Sequence, residues 1–413
     1  MRRPSLGAIF LTVAIDLLGF GIVMPFLAEE ARDSFHTTAF VGTLLGSMYS
    51  LMQFLFVPVW GRVSDAVGRR PVLVWSVGAS AVAMAGLGFA LAFGDHVAWL
   101  FAARIFSGIA TANLGTASAY IADITAPEER SKGMGLIGMA FGLGFILGPP
   151  IGGLLAPILV NGRQGAVPCF VAAGLSVVNF VWVVFGLGES LPKDRRSATK
   201  ARELSPFNTK KAREAFALPG VAVAVLANFV AIVAFAGMNE TFRFFNKDLF
   251  GMTKRDTAYA LAFIGVTAAF VQGGVIRPLA KRWGDAPLVR IGFLLQAIGF
   301  TGLVVAPSFG RPAIYAFGAF LAFGNGLVAP SLSAYVSKCA PSNAQGSTLG
   351  TSQSIASLAR VAGPALGGFL YGALGPRVPY VNGAVLMIVA LLLALPMRSH
   401  APDGAQNTST QTS

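Results

Sequence analysis

The sequence predicts an all-α membrane protein in which twelve transmembrane helices form two pseudo-symmetric six-helix bundles. Hydrophobic residues make up 54% of the 413 residues, whereas charged residues make up only 12%. A soluble chain of this length could not bury so much apolar surface, and about 25% of its residues would be charged. The charged residues are also grouped between long apolar stretches, which is typical of membrane spans.

Apolar windows of about 20 residues, the length that crosses a bilayer as a helix, place the twelve spans. The first six are expected near 6–27, 39–60, 71–92, 97–121, 132–157 and 167–188. The second six are expected near 218–242, 257–280, 287–306, 311–336, 347–373 and 379–397. The first run follows two arginines, as a secretory signal does, but Asp16 interrupts it and no small-residue cleavage site follows. It is therefore predicted to stay as the first span.

Four regions follow from these spans. They are an N-terminal six-helix bundle at 1–188, a cytoplasmic linker at 189–217, a C-terminal six-helix bundle at 218–397 and a disordered cytoplasmic tail at 398–413. The linker is polar and rich in Lys and Arg, and a basic segment lying on anionic headgroups is the alternative interpretation. The tail is polar and has no apolar periodicity, which is typical of disorder.

The net charge of +13 reports topology rather than a nucleic-acid partner. With the N-terminus in the cytoplasm, 21 of the 31 Lys and Arg residues lie on the cytoplasmic side and 8 lie on the other side. Arg104 and Arg360 remain, both inside helices. By the positive-inside rule, we expect a multi-pass protein of the bacterial inner (plasma) membrane with both termini in the cytoplasm.

An internal repeat divides the chain into two similar halves. Gly148-Pro149-Pro150-Ile151-Gly152-Gly153 recurs, with changes, as Gly363-Pro364-Ala365-Leu366-Gly367-Gly368, and Ala119-Tyr120 recurs as Ala334-Tyr335, both at an offset of 215. Gly68 and Gly284 keep a similar offset of 216. Two such bundles can rock about a site near the bilayer midplane and expose it alternately to either side. The repeat therefore favours a carrier over a receptor or an enzyme.

The loop between spans two and three carries a charged motif. It reads Gly61-Arg62-Val63-Ser64-Asp65-Ala66-Val67-Gly68-Arg69-Arg70-Pro71. We expect Asp65 at a helix N-terminus and expect Arg69 to reach Asp123 at the end of span four, so that the cluster holds the cytoplasmic side closed in one state. Simple positive-inside anchoring is the alternative. The loop resembles the signature loop of the major facilitator superfamily, a resemblance that implies the major facilitator fold and a cytoplasmic gate formed by Gly61, Asp65, Gly68, Arg69, Arg70 and Asp123.

Span five is rich in small residues and prolines, which permit close backbone approach and remove helix hydrogen bonds. Tight helix packing alone is one interpretation. The run also resembles the antiporter motif of the same superfamily, and this resemblance assigns that role to Gly144, Gly148, Pro149, Gly152 and Gly153.

Spans one and four resemble the tetracycline/proton antiporter branch of the twelve-span drug exporters. The resemblance rests on Asp16-Leu17-Leu18-Gly19-Phe20-Gly21-Ile22-Val23-Met24-Pro25, on Arg104 to Gly108 and on Ala119-Tyr120-Ile121-Ala122-Asp123-Ile124-Thr125. It implies proton-coupled efflux of small amphipathic or drug-like molecules by alternating access, and hence antibiotic resistance. In that branch, acids inside spans three and nine contribute to transport. Here span three has no acid and span nine carries Gln296, so coupling must rely on fewer carboxylates.

Three charged residues fall deep inside predicted spans, far from the span ends, where ionisable side chains are functional candidates. Asp16 lies about ten residues into span one, roughly 15 Å from its cytoplasmic end, and must be protonated, paired or open to water. Arg104 in span four is its expected counter-charge. Arg360 in span eleven is expected to play a matching role or to bind an anionic group of the substrate. The alternative for both arginines is hydrogen bonding to carbonyls at Pro and Gly kinks.

Neutral polar residues inside the spans either line a cavity or bridge helices. They are Gln53, Asn113, Asn228, Gln296 and Asn325. Glu240 and Arg243 fall at the predicted outer end of span seven, where an exposed ion pair or an outer gate is expected, and Glu240 is a secondary candidate for the proton site.

Two other functions fit the same architecture. One is a symporter or facilitator that imports a metabolite, and the other is a membrane receptor that has lost transport. An enzyme is not expected, because the sequence contains neither a metal-ligand cluster nor a nucleophile with a nearby base. The two cysteines, Cys169 and Cys339, are far apart and indicate no disulfide framework. We expect a monomer without a cofactor or metal whose partners are a small-molecule substrate, protons and the lipid bilayer, not nucleic acid.

Overall fold

A computed structural model describes residues 4–125, 130–196, 213, 216–340 and 345–397. Most of the predicted linker and all of the predicted tail therefore lie outside the described residues. In the described part, the secondary structure is helical, with one isolated bridge between Val160 and Arg163.

Seven helices account for the first six predicted spans. They are α1 (Leu6–Phe35), α2 (Ala39–Val67), α3 (Arg69–Phe93), α4 (Ala98–Ala110), α5 (Leu114–Ile124), α6 (Arg130–Leu155) and α7 (Ala166–Gly186).

Seven more helices account for the last six. They are α8 (Val221–Phe250), α9 (Lys254–Phe270), α10 (Ile276–Trp283), α11 (Asp285–Val305), α12 (Pro312–Cys339), α13 (Gln345–Leu374) and α14 (Val378–Ala394).

Every predicted span coincides with helix in the described residues, but three helices run well past their predicted ends. Helix α1 continues from residue 27 to Phe35, α2 from residue 60 to Val67, and α8 from residue 242 to Phe250. Hydropathy windows stop where charged residues begin, whereas a helix continues as long as its charged side chains find partners. These extensions carry most of the ion pairs described below.

Eight of the described helical segments are long and apolar enough to cross a membrane, judged by length and composition. They correspond to spans one to three and six to ten. The shorter apolar helices include Gly142–Leu155 in span five and Val378–Ala394 in span twelve. Span eleven is the 30-residue helix α13, in which Ser, Thr and Gln residues dilute the apolar character.

Span four is broken, contrary to the single helix expected over 97–121. Helix α4 ends at Ala110, α5 begins at Leu114, and residues 111–113 form a turn. Carbonyls at the break accept hydrogen bonds from side chains of neighbouring helices: Trp60 Nε1 donates to Ile109 at 2.8 Å, and Ser76 donates to Ala110. Open backbone is tolerated at membrane depth when the surrounding protein satisfies it in this way.

Span eight is interrupted more gently. A single π-helical turn at Val271–Val275, which includes Gly273 and Gly274, separates α9 from α10. Such turns occur inside α-helices, often at functional sites, and insert one extra residue per turn.

The described residues belong to two compact units. The first lies within Met1–Phe207, Asn239–Ala262 and Arg360–Pro376, and the second lies within Asn208–Met238, Phe263–Ala359 and Arg377–Ser413. Parts of α8, α9 and α13 thus belong to the same unit as the first seven helices. The boundaries predicted for the two six-helix bundles remain a prediction.

Within the first unit, α6 packs on α1 through glycines of the predicted antiporter motif. A Cβ atom at Gly144 would lie 2.7 Å from the carbonyl oxygen of Leu17, and one at Gly148 would lie 2.6 Å from Cα of Gly21. Gly152 approaches the backbone of Ile22 in the same way, and Gly153 faces Ala258. The two backbones therefore touch along two turns, as small-residue stripes allow in membrane helices.

Replacing Gly148 by Ala should destabilise the protein by about 1–3 kcal/mol, because the added methyl group overpacks the contact with α1. The midpoint of thermal unfolding of the purified protein in detergent should fall accordingly. Gly86→Ala is the matched control, since a Cβ atom there meets no atom within 4 Å, and it should leave the midpoint unchanged or slightly raised. Equal midpoints for the two variants would contradict the close packing.

Candidate functional site

Asp16 lies in α1 beside the break in span four. Its Oδ2 atom accepts a hydrogen bond of 3.1 Å from Asn113 Nδ2, at the residue that precedes α5, and the Ser80 side chain also interacts with it. The other carboxylate oxygen, Oδ1, is buried and has no hydrogen-bond partner among the described residues. The break in span four thus brings a neutral amide, rather than a cation, to the intramembrane carboxyl group.

Arg104 does not pair with Asp16 among the contacts of the described residues, which corrects the expected ion pair. Its side chain is completely buried, its Nη2 atom lies 3.3 Å from Met24 Sδ, and its Nε atom lies 3.5 Å from the carbonyl oxygen of Leu45. Met24 is eight residues beyond Asp16, about 12 Å farther along α1. The two charged residues were expected to meet because both fall inside predicted spans, but the sequence does not fix their relative position along α1.

Tyr49 of α2 connects these residues, and the sequence analysis did not identify it. The Arg104 guanidinium lies over the Tyr49 ring, 4.2 Å from the centroid. The hydroxyl of Tyr49 accepts hydrogen bonds from Gln53 Nε2 at 2.9 Å and from Thr111 Oγ1 at 2.8 Å. Tyr49 also interacts electrostatically with Asp16 and Arg360. A tyrosine four residues before a glutamine inside a predicted span, on the same helix face, was the available signal.

Glu240 of α8 is buried, and so is Arg243, which corrects the exposed ion pair expected there. Glu240 is 4% exposed and Arg243 is 5% exposed. Arg243 pairs with Glu29 rather than with Glu240. Glu240 instead lies against Gly46, where a Cβ atom would come within 2.5 Å of its Oε1 atom, and it interacts electrostatically with Arg104.

Arg360 of α13 belongs to the same compact unit as Asp16 and Tyr49. It is partly buried and interacts electrostatically with Tyr49. The carbonyl oxygen of the next residue, Val361, accepts a 2.8 Å hydrogen bond from Ser47 Oγ, which attaches this turn of α13 to α2. We call Asp16, Tyr49, Arg104, Glu240 and Arg360 the central cluster.

The remaining neutral candidates divide between the two units. Gln53 bridges α2 to the break in span four, since its Nε2 atom also donates to Thr111 Oγ1 at 3.2 Å. Asn228, Gln296 and Asn325 belong to the second unit. Gln296 is 2% exposed and packs against Gly324, so it joins α11 to α12.

A second cluster lies on the side of the protein where α1 begins, which we call the N-terminal side. Arg69 Nε donates to Asp123 Oδ2 at 3.1 Å, the contact that the sequence predicted, and its Nη1 atom lies 2.5 Å from Asp65 Oδ1. Asp65 is in the last turn of α2, not at a helix N-terminus as expected. Glu189 takes that place, because its carboxylate accepts from the backbone N–H groups of Arg69 at 2.9 Å and Arg70 at 3.3 Å, at the start of α3.

The second unit contains a counterpart of the Arg69 and Asp123 pair with reversed charges. Asp285 lies 216 positions after Arg69, and Lys338 lies 215 positions after Asp123. Lys338 Nζ donates to Asp285 Oδ2 at 2.7 Å. The repeat has therefore kept an ion pair at this place while exchanging the sign of both partners.

A third cluster of eight charged residues lies at the other end of α1. It consists of Glu29, Glu30, Arg32 and Asp33 on α1, Arg243, Lys247 and Asp248 on α8, and Lys254 on α9, and we call it the opposite-side network. It contains four acidic and four basic side chains, so it is neutral as a whole.

Hydrogen bonds and ion pairs connect the network throughout. Glu29, 1% exposed, accepts from Arg243 Nε at 2.8 Å and lies 3.2 Å from Lys247 Nζ. Lys254 pairs with Glu30 and donates to Gln164 Oε1 at 2.6 Å.

The exposed edge of the network is also paired. Lys247 donates to Asp33 at 2.7 Å, and Arg32 lies 3.3 Å from Asp248, which accepts from Tyr371 of α13 at 2.8 Å. The ends of α1, α8, α9 and α13 are thereby held together on this side.

Three pairs of this network join span one to span seven at separations one residue away from the repeat offset of 215. Glu29 and Arg243 are 214 positions apart, Arg32 and Asp248 are 216 apart, and Asp33 and Lys247 are 214 apart. At the offset of 215 itself, Arg32-Asp33 corresponds to Lys247-Asp248, so the two spans carry the same charge pattern and the ion pairs between them are crossed. Comparing the two spans at the repeat offset would have revealed the network, but the spans were predicted to end before it.

Among the described residues, no group of three or more His, Cys, Asp or Glu side chains could hold a metal ion, and Cys169 and Cys339 are free thiols.

Reversing one charge of the network should be much more damaging than reversing both partners. Glu29→Arg places a third cation against Arg243 and Lys247, and we expect a loss of about 3–5 kcal/mol of stability, as when a buried pair is broken. Glu29→Arg combined with Arg243→Glu should recover at least half of the loss in the midpoint of thermal unfolding.

Recovery should be partial, because Arg243 also donates to the carbonyl oxygen of Met252. Asp95→Arg, at an exposed loop acid, is the control and should have little effect. A double variant that is no more stable than Glu29→Arg would show that the charge pairing does not hold these helices together.

Comparison with known sequences places the chain among membrane transporters. The sequence model of the Major Facilitator Superfamily matches residues 9–364 and 275–412. The tetracycline resistance protein, class C, of Escherichia coli is 32% identical over 92% of this chain and 93% of its own length. Multidrug resistance protein 2 of Bacillus subtilis (strain 168) is 28% identical over 95% of each chain.

Comparison with solved structures gives the same fold. The human organic anion transporter TETRAN superposes with a TM-score of 0.71 at 24% sequence identity, covering 94% of this chain and 98% of that one. A bacterial homologue of the human lysosomal transporter Spinster, in an inward-facing conformation, superposes with a TM-score of 0.70 at 15% identity, covering 94% and 95% of the two chains. Likeness at these identities concerns the fold alone.

Proposed function

This chain belongs to the Major Facilitator Superfamily, and on that premise we propose that it exports small amphipathic, drug-like molecules in exchange for protons. The family membership confirms the major facilitator fold, the multi-pass membrane protein and the transporter, rather than enzyme, that the sequence predicted. The cargo and its coupling to protons are the proposal.

The observation that carries the proposal is the setting of Asp16. A carboxyl group inside a spanning helix is costly as an isolated anion, and here its hydrogen-bond partner Asn113 is neutral. An amide can donate to the carboxylate and accept from the protonated acid after a rotation of its side chain. Asp16 can therefore exist in both protonation states, as the carrier of an exchanged proton must.

The two side clusters support alternating access. The opposite-side network joins α1 to α8, α9 and α13 in this structure, and exposing a central site to that side requires these ion pairs to separate. The cluster of Arg69, Asp65 and Asp123 is placed to act as the gate of the N-terminal side. Opening either gate separates ion pairs, which costs free energy. When one gate closes as the other opens, the pairs that form offset the pairs that separate, so the net change in free energy is small.

The distribution of Lys and Arg supports the orientation. We assign the N-terminal side to the cytoplasm, the opposite side to the exterior and the membrane to the bacterial inner membrane, with the protein working as a monomer. The relatives named as tetracycline and multidrug resistance proteins support apolar or amphipathic toxic compounds as cargo. Arg360 is positioned in the central cluster to contact an anionic group of such a compound.

Asp16→Asn should lower the number of protons exchanged per substrate. In everted membrane vesicles energised by respiration, addition of tetracycline or ethidium as test substrates should release protons from vesicles that contain the wild-type protein. We expect less substrate-dependent proton movement with Asp16→Asn, because an amide has no proton to exchange.

Asp95→Asn makes the same chemical change at an exposed loop acid and should behave like the wild type. A broad susceptibility screen of cells with and without the protein identifies further substrates if neither compound moves. Transport by Asp16→Asn at the wild-type rate with intact proton coupling would rule out Asp16 as the proton carrier.

A further inference from the structure

Glu240 is a buried acid that neither side cluster uses. The other acidic residues in the described part of the chain that are at most 9% exposed, namely Glu29, Glu30 and Asp285, each form an ion pair with Lys or Arg. Glu240, 4% exposed, forms none with any described residue. A buried carboxylate without a paired cation is unfavourable, so this side chain must be able to become neutral or to approach a cation.

The cation within reach is Arg104. The two side chains interact electrostatically, and Arg104 has a buried nitrogen, Nη1, without a hydrogen-bond partner among the described residues. Met24 contacts the Arg104 guanidinium and also lies, with Glu240, next to Gly46. Met24 is therefore close to both side chains, and Glu240 and Arg104 interact without forming an ion pair.

Among the described residues, no charged side chain other than Arg104 interacts electrostatically with Glu240. Helices α1 and α2 present Met24 and Gly46 to it. On its own helix, the nearest charged residue is Arg243, which is held by Glu29. Asp16 and Arg360 interact electrostatically with Tyr49.

We propose that Glu240 carries a second exchangeable proton, so that each transport cycle moves two protons, one on Asp16 and one on Glu240. This inference rests on the proton-coupled efflux proposed above. When Glu240 binds a proton, its attraction for Arg104 disappears and the guanidinium stays on the Tyr49 ring. When the proton leaves, the carboxylate and the guanidinium become opposite charges in an apolar setting, where their attraction is strong.

The position of Glu240 also links its proton to the opposite-side network. Glu240 lies one helical turn before Arg243 on α8. A movement of α8 that brings Glu240 toward Arg104 therefore acts on the ion pair between Arg243 and Glu29. The protonation state of Glu240 is thus expected to shift the balance between the formed and the separated state of the ion pair between Arg243 and Glu29.

Infrared difference spectroscopy of the purified protein in lipid tests this directly. A protonated carboxyl group has a C=O stretching band that disappears on ionisation, so a change of pH reports each exchanging acid. Among the carboxyl bands of the wild type that change with pH, we expect one to be lost in Glu240→Gln and a different one in Asp16→Asn. Asp95→Asn should keep both.

Gly46→Ala provides a second variant that keeps both acids. The new methyl group would lie within 2.5 Å of Glu240 Oε1, so it should shift the Glu240 band while leaving the Asp16 band in place. Gly86→Ala, where the methyl group meets open space, should shift neither. With tetracycline or ethidium, Glu240→Gln should halve the number of protons moved per substrate.

The outcomes separate the two proposals. If Glu240→Gln keeps every titrating carboxyl band of the wild type, Glu240 exchanges no proton and the second-proton proposal is wrong, whereas proton exchange at Asp16 stands. If Asp16→Asn keeps its bands and Glu240→Gln loses one, the proton carrier is Glu240 and the assignment of Asp16 is wrong. A Glu240 band that Gly46→Ala leaves unmoved would also contradict the proposed position of the carboxyl group.

Discussion

Every backbone polar group that lies within hydrocarbon has to find its partner inside the protein, and this constraint explains the structure more than any single contact does. The break in span four is possible because Trp60, Ser76 and Gln53 donate to carbonyls that the helix releases. The same break supplies Asn113 to Asp16. The turn in span four, whose carbonyls need donors from neighbouring helices, is therefore also the element that provides the hydrogen-bond partner of the intramembrane carboxyl group.

Charge is distributed in three layers along the first unit, and the layers differ in how completely they are paired. Both outer layers consist of ion pairs with short contacts, such as Arg69 with Asp123 and Arg243 with Glu29. In the central cluster, Asp16 has an amide partner and Arg104 rests on an aromatic ring. Fully paired charges resist a change of protonation or of partner, whereas partly compensated charges respond to a proton or a ligand. The chemistry of transport is therefore expected in the middle and the mechanical closure at the ends.

The sequence alone predicted the twelve helices, the repeat and the contact between Arg69 and Asp123, because long apolar runs and a fixed offset are properties of the chain itself. It did not predict the opposite-side network, because a hydropathy window ends at Glu29 although the helix continues to Phe35. The sequence also did not predict the break in span four, whose carbonyls are satisfied by donors on two other helices. Tyr49 was overlooked for a similar reason, since a ring inside a membrane helix is usually packing and only the fold places Arg104 on it.

The exchange of sign between the pair of Arg69 and Asp123 and the pair of Asp285 and Lys338 has a consequence for how the two halves diverged. Each pair lies within one half, so reversing one partner alone would place two like charges next to each other. The two changes that separate the halves at this place must therefore have compensated each other. What the halves share here is the pairing of opposite charges, not the identity of the acid and the base.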